Sequence, residues 1–363
     1  MALFQKSVLT NYLSSISDNE INNGWVKFQN YKSIASNIKN YKEEEFQFDF
    51  LKMIFNDCLG YKISDVGEES RNLFTEVKNV SDGGKADGAI KKDNKIIAVI
   101  ELKSVKTKDF KTIQDQAFLY KVSHGDKCKY VVTSNFHKLR FYINSTSEYE
   151  EFDLFNLTKE KYRLLHLCLF KDNVFSGIPE KLKKESVLRE EEISKKLYKD
   201  YSAFRKELFK SLVNSNPEFD KLIIFNKTQK LLDRFLFIFF AEDRGLLPSN
   251  EISKIINEWE KVTKLHIKET LYERFKIHFD FIRLGNKESE INAFGGGLFE
   301  SDEVLNSFNI DDSVLFTHAK NLSHYDFLSD VSVDILGHIF ENSLSEIEEI
   351  QNEISGLETG TSK

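Results

Sequence analysis

Proline, methionine, tryptophan and cysteine are all scarce: 3 Pro, 2 Met, 2 Trp and 3 Cys in 363 residues. The prolines, Pro179, Pro217 and Pro248, stand alone, so long polyproline spacers are excluded. Cys58, Cys128 and Cys168 are scattered, without a CxxC pair or matching His spacing, which excludes a disulfide framework and a zinc site and fits a reducing cytoplasm. The longest apolar run, FLFIFFA at residues 235–241, is far short of the roughly 18 residues that cross a bilayer, so the reading has no membrane partner. The first residues, MALFQKSVLTNYLSSISDNE, lack the apolar core and small-residue cleavage site of an export signal. Eight histidines include no HExxH pair, and each is read as a packing or surface residue.

What is abundant is aromatic and charged. With 32 Phe and 13 Tyr the core must be aromatic-rich, and 40% hydrophobic against 30% charged residues is the balance of a globular protein. A net charge of -7 argues against an overall basic coat but leaves room for a local basic face, because charge acts over about 10 Å.

Two textures divide the chain. In YKEEEFQFDFLKMIFNDCLGYK the acids Glu43, Glu44 and Glu45 suit a helix N-terminus, and Phe50, Leu51, Ile54, Phe55 and Leu59 follow helical spacing up to Gly60 as C-cap. Residues 73–143 then read as short strands, LFTEVKNV, ADGAI, KIIAVIELK, KYVVTSN and LRFYIN, interrupted by one helix, TIQDQAFLYKVSHG. After about residue 160 the strand texture ends. Segments such as EISKKLYKDYSAFRKELFKSLV, NKTQKLLDRFLFIFFAEDRG and LYERFKIHFDFIRLG carry apolar residues at i, i+3, i+4, and the stripe Leu231, Phe235, Ile238, Phe239 is core. The chain therefore reads as α+β: a mixed β-sheet flanked by helices in residues 1–170, then an all-α domain in residues 171–363, with 171–185 as the linker. Glu242 and Asp243 end one helix ahead of Gly245 and read as a solvated, capped end.

Chemistry concentrates at Asp87 in KADGAI and at Glu101 and Lys103 in IAVIELKS. The polar turn KKDNK makes a hairpin of the two segments, so Asp87 and Glu101 can face each other across it. Strand alternation sends Glu101 and Lys103 to one face while Ala98, Ile100 and Leu102 bury the other. Two carboxylates and the Leu102 carbonyl suit a hard cation such as Mg²⁺, with Mn²⁺ as an alternative, and Lys103 could position or polarise an attacking water. The simpler reading of such a strand is a solvated face with a surface ion pair. The buried run IIAVI and the helix that follows favour a site.

These residues resemble the PD-(D/E)XK nuclease superfamily: Asp87, then Glu101-x-Lys103, then Gln116-x-x-x-Tyr120 in QAFLY, the last similar to the element of RecB-like nucleases. The longer stretches FLKMIFNDCLGY, GGKADGAI, VVTSNFHKLRFY, TQKLLDRFLFIFFAEDRGLLP, FGGGLFE and DFLSDVSVDILGHIFENSLSE resemble the N-terminal half of type IIG restriction-modification enzymes, which join nuclease, helical connector, N6-adenine methyltransferase and target recognition domain in one chain. The resemblance implies metal ligation by Asp87 and Glu101, a catalytic Lys103, and support from Gln116 and Tyr120. It also implies a Glu of the first helix, with Glu45 the candidate and Glu44 the alternative. Ala86 stands where the family name has proline. No two prolines are adjacent, so the NPPY-type methyltransferase tetrapeptide is missing. The one glycine cluster, residues 295–297, has no strand-helix setting for S-adenosylmethionine and reads as a turn. The chain is thus expected to be the nuclease and connector preceding a methyltransferase and a recognition domain that lie elsewhere.

Residues 85–140 hold 13 Lys or Arg against 6 Asp or Glu, a net +7 within a chain of -7. That is a footprint for double-stranded DNA, with Lys85, Lys106, Lys108 and Lys111 as phosphate contacts. The stretch 341–358 holds six acids and no base, which suits packing on a partner domain or solvation. A noncatalytic DNA-binding or assembly module, or a subunit completing a split methyltransferase, is the competing reading.

Overall fold

The computed structural model describes residues 3–63, 71–78 and 84–327 and seven positions between 331 and 352. Most of the acidic stretch 341–358 and most of DFLSDVSVDILGHIFENSLSE lie outside the described residues. The chain is α+β, with a six-stranded mixed sheet and a mostly helical remainder. It forms two compact units, residues 1–187 and 188–363. Among the described residues no helix is long and apolar enough to cross a membrane.

In the first unit, helices α1 (Lys6–Ser15), α2 (Asp18–Ser33), α3 (Ala35–Ile38) and α4 (Glu43–Phe50) precede the sheet. Ser17 and Glu20 form a reciprocal capping box that starts α2. The single helix expected over residues 43–60 changes character midway. From Leu51–Cys58 it widens to π-helical hydrogen bonding, Leu59 N–H donating to the Ile54 carbonyl, and it ends at Gly60 with φ +79°.

The strands are β1 (Leu73–Lys78), β2 (Lys85–Lys92), β3 (Lys95–Leu102), β4 (Tyr130–Ser134), β5 (Lys138–Ile143) and β6 (Glu150–Asp153), side by side in chain order. All neighbours are antiparallel except β3 and β4, which run parallel because α5 (Phe110–Ser123) carries the chain across. The turn expected in KKDNK is a two-residue hairpin, Asp93 and Asn94 having φ +49° and +58°, the signature of a type I′ turn. Strand β6, sequence EEFD, went unanticipated because its acids hide the alternation.

Both faces of the sheet are covered. Ala98, Ile100 and Leu102 join Phe50, Phe55, Phe28 and Tyr162 in the core under α2, α4 and α6 (Lys159–Leu169), whereas Val99 packs with Ala86, Ala117 and Tyr120 under α5. Each fully buried Phe contributes about 1.5–3 kcal/mol of burial free energy. A two-sided sheet leaves no open face at β3, so Glu101 lies in the interior, 1% exposed, and not on the solvated strand face of the simpler reading. Helix α2 approaches α6 closely at Gly24, where an added Cβ would stand 2.1 Å from the Tyr162 hydroxyl and 2.8 Å from the Cys58 carbonyl.

Residues 171–185, the expected linker, are helical. They make up α7 (Lys171–Ser176) and the start of α8 (Ile178–Ser215), with the left-handed Gly177 between them. The second unit comprises the rest of α8 with α9 (Lys221–Asp243), α10 (Glu251–Lys264), α11 (Leu271–Leu284), α12 (Glu303–Ser307) and α13 (Asp312–Leu322). The stripe Leu231, Phe235, Ile238 and Phe239 is buried as expected. Helix α9 does end ahead of Gly245, at φ +70°, but its terminal acids are not solvated. Glu242 is buried and accepts from Ile252 N–H, and Asp243 accepts from Phe327 N–H, so both tie the helix end to the chain beyond it.

Candidate active site

The β2–β3 register pairs Gly88 with Ile100, which brings Asp87 and Glu101 together where the two strands part. Asp87 is held from two sides: Leu102 N–H donates to its Oδ2 at 2.7 Å and Gln47 Nε2, from α4, to its Oδ1 at 3.0 Å. Lys103 lies just past the end of β3, its own N–H bonded to the Ser134 carbonyl of β4. Its Nζ donates to Glu101 Oε1 at 2.9 Å, to the Leu102 carbonyl at 3.0 Å and to Glu43 Oε1 at 3.2 Å. Three elements thus converge: the α4 face carrying Glu43 and Gln47, the β2 strand carrying Asp87, and the β3 end carrying Glu101 and Lys103.

Burial sets the electrostatics. Glu101 has its carboxyl pushed up to about 7, first by loss of water and then by the neighbouring Asp87 charge, with Lys103 opposing. Asp87 is also raised, burial outweighing the Leu102 and Gln47 hydrogen bonds and the Lys103 charge. Burial pulls Lys103 down, but its bond to Glu101 and the charges of Glu101 and Asp87 more than compensate, so its ammonium sits above its usual range. Lys103 is therefore charged at neutral pH. Glu101 Oε2 is buried and has no hydrogen-bond partner, an unsatisfied acceptor beside a second carboxylate.

Among the described residues, no group of three or more His, Cys, Asp or Glu side chains converges as a complete metal site. The donors that could serve a cation are Asp87, with its two held oxygens, the free Glu101 Oε2 and the Leu102 carbonyl. Oxygen donors of this kind, two of them carboxylates that repel one another, fit a hard divalent ion that keeps part of its water shell.

Glu45, the expected helix acid, is not among these residues. It is exposed, and its Oε2 accepts from Lys42 N–H at 2.9 Å to close the start of α4; Glu44 is also exposed. Glu43 reaches the cluster instead. The helix phase explains why: Glu43 precedes the buried Phe46 by three residues and Phe50 by seven, which keeps it on the inward face, whereas Glu45 is rotated to the far side. The same phase selects Gln47, four residues after Glu43, which sequence reasoning missed. Gln116 and Tyr120 bond to each other, Nε2 to hydroxyl at 2.8 Å, and neither hydrogen-bonds to Asp87, Glu101 or Lys103. Tyr120 packs beside Ala86, the residue before Asp87, under α5. Of the expected phosphate contacts, Lys85 pairs with Glu76 at 3.0 Å on the surface. Lys106 and Lys108, in the loop after Lys103, and Lys111, in the first turn of α5, are exposed without an ion pair among the described residues. That loop is tied down by Asn135 Nδ2, which donates to the Thr107 carbonyl at 2.8 Å.

No family model matches the chain, and neither does any solved structure. A relative from Methanocaldococcus jannaschii, named "Putative type II restriction enzyme and methyltransferase", is 28% identical over 137 residues. That match covers 32% of this chain and 12% of the relative's length. The likeness is distant and links the chain only loosely to restriction-modification proteins.

Proposed function

We propose that the chain is the DNA-cleaving part of a type IIG-like restriction-modification enzyme: a PD-(D/E)XK-type nuclease in the first unit, followed by a helical connector to methyltransferase and recognition domains. The observation that carries this reading is the meeting of Asp87, Glu101 and Lys103 with Glu43, where a charged lysine lies 2.9 Å from a buried carboxylate whose other oxygen is unsatisfied. The distant restriction-enzyme relative supports the same class.

In this reading Asp87 and Glu101 hold Mg²⁺, or Mn²⁺, and the ion, when bound, supplies Lewis acidity to the phosphate and a more acidic water. The remaining work falls to the chain itself. Gln47 Nε2 and Leu102 N–H fix the Asp87 carboxylate, so it presents its free lone pairs in one orientation. Lys103, charged at neutral pH, cannot accept a proton from water. It acts as a donor, orienting the attacking oxygen or stabilising negative charge as the water oxygen bonds to phosphorus and the bond to the leaving oxygen breaks. Glu43 and Glu101 hold its Nζ from two sides, which limits where it can point. Lys106, Lys108 and Lys111 lie on the stretch that follows, suited to phosphates flanking the scissile bond of a duplex. Site choice would come from a recognition domain outside this chain.

The test is relaxation of supercoiled plasmid in Mg²⁺ or Mn²⁺. Asp87→Asn, Glu101→Gln and Lys103→Met should each lower cleavage about 100-fold or more, Glu43→Gln should also lower it, and Glu45→Gln should not. Nicking that survives the first three changes would refute the reading. A chain that binds duplex DNA but never cleaves it would instead be a noncatalytic module.

A further inference from the structure

At the other end of β2 and β3 the hairpin between them and the turn between α5 and β4 border an open cavity of about 430 Å³. Six of its wall residues matter here: Lys91, Asn94 and Lys95 from the hairpin, and Ser123, His124 and Lys127 from the turn. Three lysines line it, and no acidic residue among the described residues does. Neighbouring Lys92 and Lys129 are engaged structurally, with the Phe175 carbonyl and with Glu180, whereas Lys95 and Lys127 are exposed and have no ion pair among the described residues. Lys91 lies over the Phe74 ring, 4.2 Å from its centre, which fixes one wall of the cavity. His124 is one of the wall residues, and its ring nitrogen Nε2 is buried and has no hydrogen-bond partner. Burial and the Lys91 charge hold this histidine below its ordinary range, so at neutral pH it is an uncharged ring able to donate one N–H.

A cavity with three cations, one unsatisfied imidazole and no acid is complementary to an anion with several acceptor oxygens. We propose that this cavity is a phosphate-binding site, separate from the Asp87 cluster, which takes the phosphoryl group of a small phosphorylated ligand or of a DNA backbone. Lys95 and Glu101 stand six positions apart along β3, about 20 Å of strand, so a phosphate held here is not the one at the Asp87 cluster. No Phe, Tyr or Trp lines the cavity to stack a base, so recognition rests on phosphate oxygens.

The experiment uses the full chain in EDTA, which keeps it independent of metal-dependent cleavage; its failure would leave the nuclease reading standing, and the reverse also holds. Sodium pyrophosphate is titrated while the histidine ring nitrogens are followed by NMR, the His124 signals being assigned by their loss in His124→Gln. Pyrophosphate should shift the His124 ring, and Lys95→Gln with Lys127→Gln should weaken its affinity at least tenfold. A 20-base-pair duplex, measured by fluorescence anisotropy across salt concentrations, separates the two sources. If the ligand is a DNA backbone, the double variant should flatten the dependence of log affinity on log salt by nearly two, since each lost phosphate contact removes about 0.9. An unchanged slope together with lost pyrophosphate binding assigns the site to a small phosphorylated ligand. Unmoved His124 signals, or equal pyrophosphate affinity in wild type and double variant, would overturn the proposal.

Discussion

Replacing Glu101 by Gln should stabilise the metal-free protein increasingly as pH rises. Glu101 has its folded carboxyl at about 7, against 4.5 when exposed. Between those values the folded chain holds a proton that the unfolded chain has released, so folding stability falls as pH rises through that window and levels off above it. The difference between 4.5 and about 7 corresponds to about 3 kcal/mol. Gln reproduces the neutral carboxyl and does not titrate, and Lys103 keeps Glu43 and the Leu102 carbonyl as partners. The stability gap between variant and wild type should therefore widen by about 3 kcal/mol from pH 4.5 to 8, whatever its offset at low pH. The assay is urea unfolding of the full chain without divalent ions, read through Trp25, which packs against Phe28 and Tyr162 in the first unit. Trp259→Phe removes the other tryptophan from the signal. A gap that stays flat across this range would mean that Glu101 ionises normally, and the electrostatic account of the site would fail.

Two other predictions concern the framework. Gly24→Ala forces a methyl against the Tyr162 hydroxyl and the Cys58 carbonyl, and should lower first-unit stability by about 3 kcal/mol in the same urea assay. In the second unit Asp302 caps α12 through Leu305 N–H and pairs with Lys227 at 2.8 Å and Lys230 at 2.9 Å. Asp302→Ala leaves two lysines facing an empty cap and should cost about 3 kcal/mol. Although burial opposes it, the two lysines and the cap bond hold Asp302 well below the usual carboxylate range, so its contribution is complete above about pH 4 and is lost only as pH falls below that. Trp259 fluorescence reports it, and equal midpoints for variant and wild type would contradict it.

The hairpin that carries Asp87 and Glu101 could be read from the sequence because strand alternation and an Asp-Asn turn are strong local signals. The helices α8 to α11 followed from 3.6-residue spacing for the same reason. What failed depended on phase or on tertiary context. Three consecutive acids all suit a helix start, and choosing Glu43 required asking which one shares a face with Phe46 and Phe50. Residues 171–185 look like a linker because Gly177 and Pro179 are local breakers, yet Gly177 supplies a left-handed joint between two helices and Pro179 sits in the first turn of α8, where a missing N–H costs nothing. Glu101 showed as a charge on a strand. Its burial depends on α4 and the π-helical segment covering one face and α5 the other, which no local pattern encodes. Glu242 likewise looked like a solvated helix end until its partner, the Ile252 N–H, came from the next helix.

The central claim, that Asp87 and Glu101 together hold a divalent cation, is tested most directly by calorimetric titration of Mn²⁺ in buffers of differing ionisation enthalpy. Because Glu101 holds its proton up to about 7, binding must displace it. The account predicts release of on the order of one proton at pH 6 and almost none at pH 8, with binding lost in both Asp87→Asn and Glu101→Gln. Mn²⁺ binding that releases no proton at pH 6, or that persists in either variant, would contradict it.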